Sequence, residues 1–223
     1  ITGLDRDSNF ISFARAHESG IEFIEGDATA LPFADGTFDA TISYTVSEHI
    51  EPAKFLGEQL RVLKNGGACI VLSNRKTIEE QAPCLAEGEY ERAFWERVQT
   101  FNDTLSRYGI GKYRMSQAEL PAAMEKYGFK DIKTEYIAVG LTPDDIQTPP
   151  EEARAIIDEW RQTVLDGLDS VRRSMPERFT AEQFEEIKRL TNAKYDERLA
   201  LYEQGQKQWD FTVCLIMAVR GIK

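Results

Sequence analysis

Predicted strands and helices alternate along the first two-thirds of the chain, and short connections join them. This order is typical of an α/β fold with a mostly parallel sheet. The clearest strand covers residues 68–73, and its sequence ACIVLS is apolar on both faces, as expected in the interior of a parallel sheet. Other strands are predicted at 1–5, 21–25 and 38–43, with helices at 9–18 and from Pro52 onwards.

The rest of the chain is predicted to be mainly helical. Residues 77–107 are polar with spaced aromatic side chains, which favours an amphipathic helix. Ser116 and Glu119 predict a capping box for a short helix that ends near Gly128. The segment 142–150 is rich in Pro, Asp and Thr and is interpreted as a linker. The remaining predictions are strands at 131–139 and 211–219, and amphipathic helices at 151–173 and 180–202.

Composition excludes several classes of function. A net charge of −11 argues against a nucleic-acid-binding face, because phosphate contacts need concentrated Lys and Arg. No apolar run approaches the roughly 20 residues of a membrane span, so no membrane association is expected. The three cysteines are far apart and have no metal-ligand spacing, which predicts no metal site and fits a reducing cytoplasm.

Two carboxylates follow predicted strands directly. Asp5 ends the first strand, where a carboxylate in a nucleotide-binding α/β fold accepts hydrogen bonds from ribose hydroxyls. Asp27 follows Gly26 after the second strand, where its carboxylate and the amide of Ala28 could bind the edge of an adenine. Both motifs also have plainer interpretations, since Asp5 or Asp7 could simply cap a helix and Gly-Asp is common in turns.

A third feature adds specificity to this pattern. The sequence FDATISY at 38–44 is followed by a helix that ends in RVLKNGG at 61–67, and then by the apolar strand. With the two carboxylates, this order resembles class I S-adenosylmethionine-dependent methyltransferases, and it is similar to the small-molecule enzymes of ubiquinone and menaquinone biosynthesis. The resemblance covers roughly residues 1–75. The chain departs from the family pattern at Asn65, where the family usually has proline in this turn.

The resemblance implies roles for particular residues toward S-adenosylmethionine. Asp5 would hold the ribose, and Asp27 with Ala28 would contact the adenine. Residues just past the fourth family strand would lie beside the methionine end. The implied cofactor-binding residues are Asp5, Arg6, Asp27, Ala28, Ser43 and Tyr44.

The family fold is a Rossmann-like, mostly parallel seven-stranded sheet whose last two strands pair antiparallel. Its first strand and Gly-rich loop are missing from this sequence, so we expect about fifty residues before Ile1, the size of a βα unit with a leader. A protein that truly began at Ile1 would not be expected to bind the cofactor. We expect a methyltransferase core at 1–140, a helical insertion or cap at 141–209 and a last core strand at 210–223.

The resemblance predicts methyl transfer to a small organic acceptor. His49 follows the fourth family strand and is a candidate base, although it could instead face the cofactor or pack at a helix start. Specificity is expected from the helical cap and from the segment that contains Arg75, Tyr108, Tyr113 and Arg114. The cap could act as a lid over the site, or its apolar stripes could form a homodimer interface. A non-catalytic methyltransferase-like scaffold and an NAD-dependent oxidoreductase are the alternative functions.

Overall fold

The computed structural model describes residues 1–99 and 112–223, apart from the side chain of Lys76. The strands are β1 (Thr2–Asp5), β2 (Glu22–Glu25), β3 (Phe38–Tyr44), β4 (Leu63–Glu80), β5 (Lys130–Leu141) and β6 (Phe211–Ile222). The helices are α1 (Ser8–His17), α2 (Pro52–Val62), α3 (Glu89–Gln99), α4 (Glu119–Lys126), α5 (Pro150–Ser174) and α6 (Ala181–Glu203). A 3-10 turn, Pro83–Leu85, precedes α3.

The chain divides into two compact units. The first, here called the core unit, comprises Ile1–Arg75, Ser106–Ile137 and Leu215–Lys223. The second, here called the helical unit, comprises Lys76–Leu105 and Ala138–Cys214.

Parallel pairing joins two pairs of strands. β1 pairs with β2, so that Asp5 lies opposite Glu25, and β3 pairs with β4, so that Tyr44 lies opposite Leu72. The larger sheet has the order β3-β4-β6-β5, and β5 and β6 are therefore neighbours, as expected. The Gly66 amide donates to the carbonyl oxygen of Lys223 at 3.1 Å, which places the end of β6 beside the start of β4. The sheet is therefore mixed and not purely parallel.

The described strands form two separate sheets and not one seven-stranded sheet. β1 and β2 make a two-stranded sheet, and the other four strands make the second. Within the described residues, β1 and β3 each pair with one strand alone. The outer edge of β3 is correspondingly exposed, since Ile42 retains 70% and Tyr44 52% of its accessible surface.

The core unit is built on helix α2 and strand β4. Pro52 begins α2, where a missing amide hydrogen costs nothing. Phe55 and Leu56 on this helix are 1% and 0% exposed, and they share a cluster with Val71 of β4 and Met217 of β6. This packing holds α2 against the four-stranded sheet.

The prediction of one long helix at 77–107 is wrong in its first part. β4 continues to Glu80, and the helix starts only at Glu89 and reaches Gln99. The extension of β4 follows from its neighbour β6, because the Thr77 hydroxyl lies 3.9 Å from the Cys214 sulfur across the pair. A partner strand far along the chain thus overrides the local helical pattern. Residues 100–107 of the predicted helix lie outside the described residues.

In the helical unit, α5 and α6 bury the apolar stripes that the sequence predicts. Ile157 and Ile187 are fully buried, and Phe94 of α3 packs against Phe179 and Phe184 with ring centroids 4.3 and 6.0 Å apart. Since these stripes are occupied within the unit, they offer no support for a homodimer interface. None of the helices in the described residues has the length and apolar character to cross a bilayer.

The segment at 142–150 holds more than the linker that composition suggests. Asp144 is 5% exposed and accepts from Nη2 of Arg198 at 2.9 Å. Arg198 is fully buried and also bonds both carboxylate oxygens of Asp210. A proline-rich composition gives no sign of such a buried ion pair, because its partners lie 54 residues apart.

Candidate functional site

A cavity of about 590 Å³ lies in the core unit at the carboxyl ends of β1, β2 and β3. This is the edge where open α/β sheets bind their ligands. Short segments after each of the three strands and the first turn of α2 form its walls. The lining residues are Leu4, Asp5, Arg6, Asp7, Phe10, Gly26, Asp27, Ala28, Thr29, Tyr44, Thr45, Val46, His49, Ile50, Glu51, Lys54 and Tyr113.

Asp5 is held at the tip of β1 by local hydrogen bonds. Its Oδ1 accepts from the amide of Asp7 at 2.8 Å, which turns the chain toward α1. Asp7 in turn caps α1 by accepting from the amide of Asn9 at 2.8 Å. Helix capping therefore falls to Asp7, and among the described residues no hydrogen bond reaches Oδ2 of Asp5.

Asp27 occupies the equivalent position after β2. Its Oδ1 accepts from the amide of Thr29 at 2.7 Å and from the hydroxyl of Thr29 at 2.8 Å. These two bonds are the main reason that the pKa of Asp27 is lowered from its usual value, and the positive charges of Arg6 and Lys54 add to them. The carboxylate is therefore ionised and oriented at neutral pH.

Gly26 brings the two strand tips close together. Its amide donates to the carbonyl oxygen of Asp5 at 2.8 Å. A Cβ at this position would lie 2.8 Å from Cδ1 of Leu4, which is closer than carbon atoms pack. A side chain at this position would therefore push the Leu4 side chain aside, next to the bond between Gly26 and Asp5.

Arg61 anchors the loop that follows Asp27. Its guanidinium donates to the carbonyl oxygens of Leu31 and Phe33 at 2.9 and 2.7 Å. It also bonds both oxygens of Glu58, and the Leu31 amide donates to Glu58 at 2.6 Å. These bonds, with the charges behind them, raise the pKa of Arg61 and lower that of Glu58. The loop is therefore tied to α2 by charge-assisted hydrogen bonds.

The segment that follows β3 forms the third side of the cavity, after those that follow β1 and β2. Thr45 adopts a φ of +53°, a conformation that β-branched residues rarely take, and its amide donates to the carbonyl oxygen of Leu72 at 3.0 Å. Such strain is often found at functional sites. The turn continues to His49, whose amide bonds the carbonyl oxygen of Val46 at 3.0 Å. Tyr44 and His49 both line the cavity.

The structure brings together six of the seven residues that the sequence proposes for the site, namely Asp5, Arg6, Asp27, Ala28, Tyr44 and His49. Ser43 is not among the lining residues, because it precedes Tyr44 on β3 and successive strand side chains point in opposite directions. Tyr113 of the proposed specificity segment lines the cavity, whereas Arg75 donates to the carbonyl oxygen of Met115 elsewhere in the core unit. Tyr108 lies outside the described residues.

Several residues that line the cavity were not predicted from the sequence. Thr29 orients Asp27, and a Thr two residues after an Asp could have suggested it, since Asx turns have this spacing. Phe10, on α1, is 66% exposed and lines the cavity. No sequence signal distinguishes Glu51 and Lys54, which pair at 3.4 Å at the start of α2.

The chemistry of these groups fits an adenosine. Asp5 and Asp27 each have one oxygen held by the backbone, and no hydrogen bond among the described residues reaches their Oδ2 atoms. Carboxylate oxygens can accept from ribose hydroxyls and from an exocyclic amine. Ala28 packs against the core cluster, which holds this segment of backbone at the cavity. Exposed Phe10 and Tyr44 add apolar surface to this cavity.

Comparison with known proteins gives one family match. Residues 1–71 match the model of the methyltransferase domain. The demethylmenaquinone methyltransferase of Thermus thermophilus is 36% identical over 132 residues, which are 57% of this chain and 56% of that protein. The ubiquinone/menaquinone biosynthesis C-methyltransferase of Escherichia fergusonii is 35% identical over 127 residues, 54% of this chain and 50% of that protein.

A shorter match with a higher sequence identity is the demethylmenaquinone methyltransferase of Renibacterium salmoninarum, which is 46% identical over 72 residues. These residues are 32% of this chain and 30% of that protein. The chain thus spans between about a third and a little over half of these relatives' lengths. Residues 1–71, which match the methyltransferase-domain model, include the three strand ends that form the cavity.

Proposed function

We propose that this chain, whose residues 1–71 match the methyltransferase-domain model, transfers a methyl group from S-adenosylmethionine to a small organic acceptor. The observation that carries the proposal is the position of Asp5 and Asp27 on one cavity, with their strand tips joined by the Gly26 amide. Two oriented carboxylates suit the two ends of an adenosine.

Each wall has a part in the proposed binding. Asp5 would accept from the ribose hydroxyls, while Asp27 and the Ala28 amide would bind the adenine edge. Arg6 lies close enough to Asp27 to add its charge to the field there. At the third wall, Tyr44 and the turn at Thr45 would lie beside the methionine end, and Ser43 would contribute at most through its backbone.

Methyl transfer depends mainly on alignment. When bound, S-adenosylmethionine supplies a methyl group on a good leaving group. The protein must hold the acceptor in line with that methyl and exclude water, and such positioning can lower a barrier by roughly 7–11 kcal/mol. His49 lines the cavity and could accept a proton from an acceptor that must lose one.

The acceptor class is proposed from the relatives. Two of the relatives above are named for demethylmenaquinone and one for ubiquinone and menaquinone biosynthesis. A small, largely apolar ring compound is the acceptor that these names favour. An assay with S-adenosylmethionine and a demethylated quinone tests this choice, and transfer to such a quinone at no rate above background would overturn it.

An NAD-dependent oxidoreductase is the second enzyme that could use a carboxylate at Asp5. The two functions are separated by thermal unfolding of the full-length protein with either ligand, since a ligand that binds the native state raises the melting temperature. We expect stabilisation by S-adenosylhomocysteine and none by NAD. The reverse result would replace the proposal. Stabilisation without any transfer to a panel of acceptors would favour the non-catalytic scaffold.

Finer features belong to the same proposal. A further strand between β1 and β3 would join the two sheets into one seven-stranded sheet, and the exposed edge at Ile42 supports this position. A core at 1–140, a cap at 141–209 that acts as a lid, and a last strand at 210–223 also belong to it.

Three cysteines without a disulfide are consistent with a cytoplasmic location. Sedimentation velocity tests the homodimer.

A further inference from the structure

Helix α6 carries two residues with hydroxyl groups whose side chains are mostly buried. Thr191 is 2% exposed and Tyr195 is 7% exposed, and they lie one helical turn apart on the same face. Within the described part of the chain, no hydrogen bond reaches either hydroxyl. Neither hydroxyl oxygen is among the fully enclosed side-chain atoms that lack a partner, so both remain open to water or to a ligand that enters from outside.

Both side chains line cavities inside the helical unit. A cavity of about 250 Å³ is bounded by Thr191, Tyr195 and Trp95, and a second of about 220 Å³ is bounded by Tyr195 and Trp160. Five residues contribute to both cavities, so the two lie side by side with Tyr195 between them. Since one water takes about 30 Å³ of liquid volume, the first cavity has room for a small organic molecule.

The charges around these cavities are mainly negative. Glu87 and Glu91 line the first cavity, and Glu79 and Glu80 line the second. Among the lining residues, Lys194 is the sole cation, and it is bonded to Glu91 at 2.8 Å. The excess of carboxylates favours a cationic ligand over an anionic one.

The pKa of Tyr195 is consistent with a negative electrostatic potential in these cavities. Burial, with smaller contributions from the carboxylates of Asp210 and Glu79, raises the pKa of Tyr195 to about 12, and the positive charge of Arg161 opposes this rise without cancelling it. The hydroxyl therefore stays protonated at neutral pH and has a lone pair that can accept a hydrogen bond. A negative potential that opposes a phenolate attracts an ammonium group.

Two tryptophans complete the site. Trp95 lines the first cavity and Trp160 the second. Indole faces attract cations through the ring quadrupole and also pack against apolar groups. A ligand with an ammonium group and a compact apolar body would match both properties.

We propose that this pair of cavities in the helical unit binds a small organic ammonium ion, whose N–H groups donate to the hydroxyl oxygens of Thr191 and Tyr195. The apolar part of the ligand packs against Trp95 or Trp160. The proposal goes beyond methyl transfer and does not depend on it, because every residue that carries it belongs to the helical unit.

Three probes of nearly equal shape test the charge preference by calorimetric titration of the full-length protein. Phenethylamine is cationic, 2-phenylethanol is neutral and 3-phenylpropanoate is anionic at neutral pH. We expect saturable binding of phenethylamine, at least about tenfold tighter than binding of the other two, since one buried charged hydrogen bond is worth about that factor. Absence of saturable phenethylamine binding, or equal binding of the anion, overturns the proposal.

Variants that remove single hydroxyls test the site itself. Tyr195→Phe and Thr191→Val keep the buried volume, and each should weaken phenethylamine binding about three- to tenfold. Tyr90→Phe, at a 46% exposed position on α3, is the matched control and should leave affinity unchanged. Glu87→Gln, at an exposed lining carboxylate, should reduce the preference for the amine over the alcohol. Unaltered affinity in both hydroxyl variants places the ligand elsewhere and contradicts the assignment.

Discussion

The amide of Gly26 donates a 2.8 Å hydrogen bond to the carbonyl oxygen of Asp5, and this bond joins the tips of β1 and β2. The parallel register places Asp5 opposite Glu25, so the two residues that follow Glu25 leave β2 beside the tip of β1. Asp27 is therefore brought to the same cavity by backbone geometry and not by any contact between the two acidic side chains.

Neutralising either carboxylate should weaken cofactor binding. In Asp5→Asn and Asp27→Asn an amide replaces the carboxylate with little change in size. Each variant should lower the affinity for S-adenosylhomocysteine about tenfold or more, because a charge-assisted hydrogen bond is worth about 1.5–3 kcal/mol. Calorimetric titration measures the change, with Asp169→Asn at an exposed position of α5 as control. Binding within twofold of the parent in both variants would contradict the assignment.

The pH dependence of S-adenosylhomocysteine binding should change when the Thr29 hydroxyl is removed. The lowered pKa of Asp27 keeps its carboxylate charged to a lower pH than usual, so affinity that depends on the charge is lost only as pH falls through that lowered value. Thr29→Val removes the hydroxyl bond and should move the loss to higher pH. Thr29→Ser keeps the hydroxyl and should retain the parent profile. Titrations with S-adenosylhomocysteine across the acid range measure both, and coincident profiles for Val and the parent would refute the role of Thr29.

Arg61 should influence the cofactor site from a distance. Arg61→Lys keeps the charge but loses the forked geometry that bonds Leu31, Phe33 and Glu58 together. The loop after Asp27 should loosen, with a lower melting temperature and several-fold weaker binding of S-adenosylhomocysteine. Arg189→Lys, in an exposed pair with Glu186, serves as the matched control. An unchanged affinity in Arg61→Lys would show that the loop is fixed by other contacts.

The buried ion pairs of Arg198 should dominate the stability of the helical unit. Arg198→Met leaves Asp144 and Asp210 buried without their cation, and removal of one partner of a buried pair costs about 3–5 kcal/mol. The urea midpoint, followed by circular dichroism, should fall sharply. Arg154→Met breaks a half-exposed pair with Glu203 and should change the midpoint little. Similar midpoints for the two variants would rule out a special role for Arg198.

The positions of the site carboxylates were predictable because they depend on local order. Asp5 and Asp27 each follow a short strand, and parallel strands present their carboxyl ends at one edge of a sheet. The register of β1 and β2 then places the two tips together. This part of the site needs only the order of strands and helices.

Other parts depend on contacts between distant segments. The length of β4 is set by β6, and Thr77 meets Cys214 across 137 residues. The ion pair of Arg198 and Asp144 spans 54 residues and lies in a segment whose composition suggests a linker. The strained turn at Thr45 is likewise held by a bond to Leu72 on the next strand. A local sequence pattern does not indicate which distant residue a side chain will contact, so these contacts could not be predicted.

The most direct test of the account is a structure of the full-length protein with S-adenosylhomocysteine. The account predicts that the ribose hydroxyls lie within about 3 Å of the Asp5 carboxylate, and that the adenine amine lies at a similar distance from Asp27. A nucleoside bound anywhere else, with neither carboxylate in contact, would contradict it.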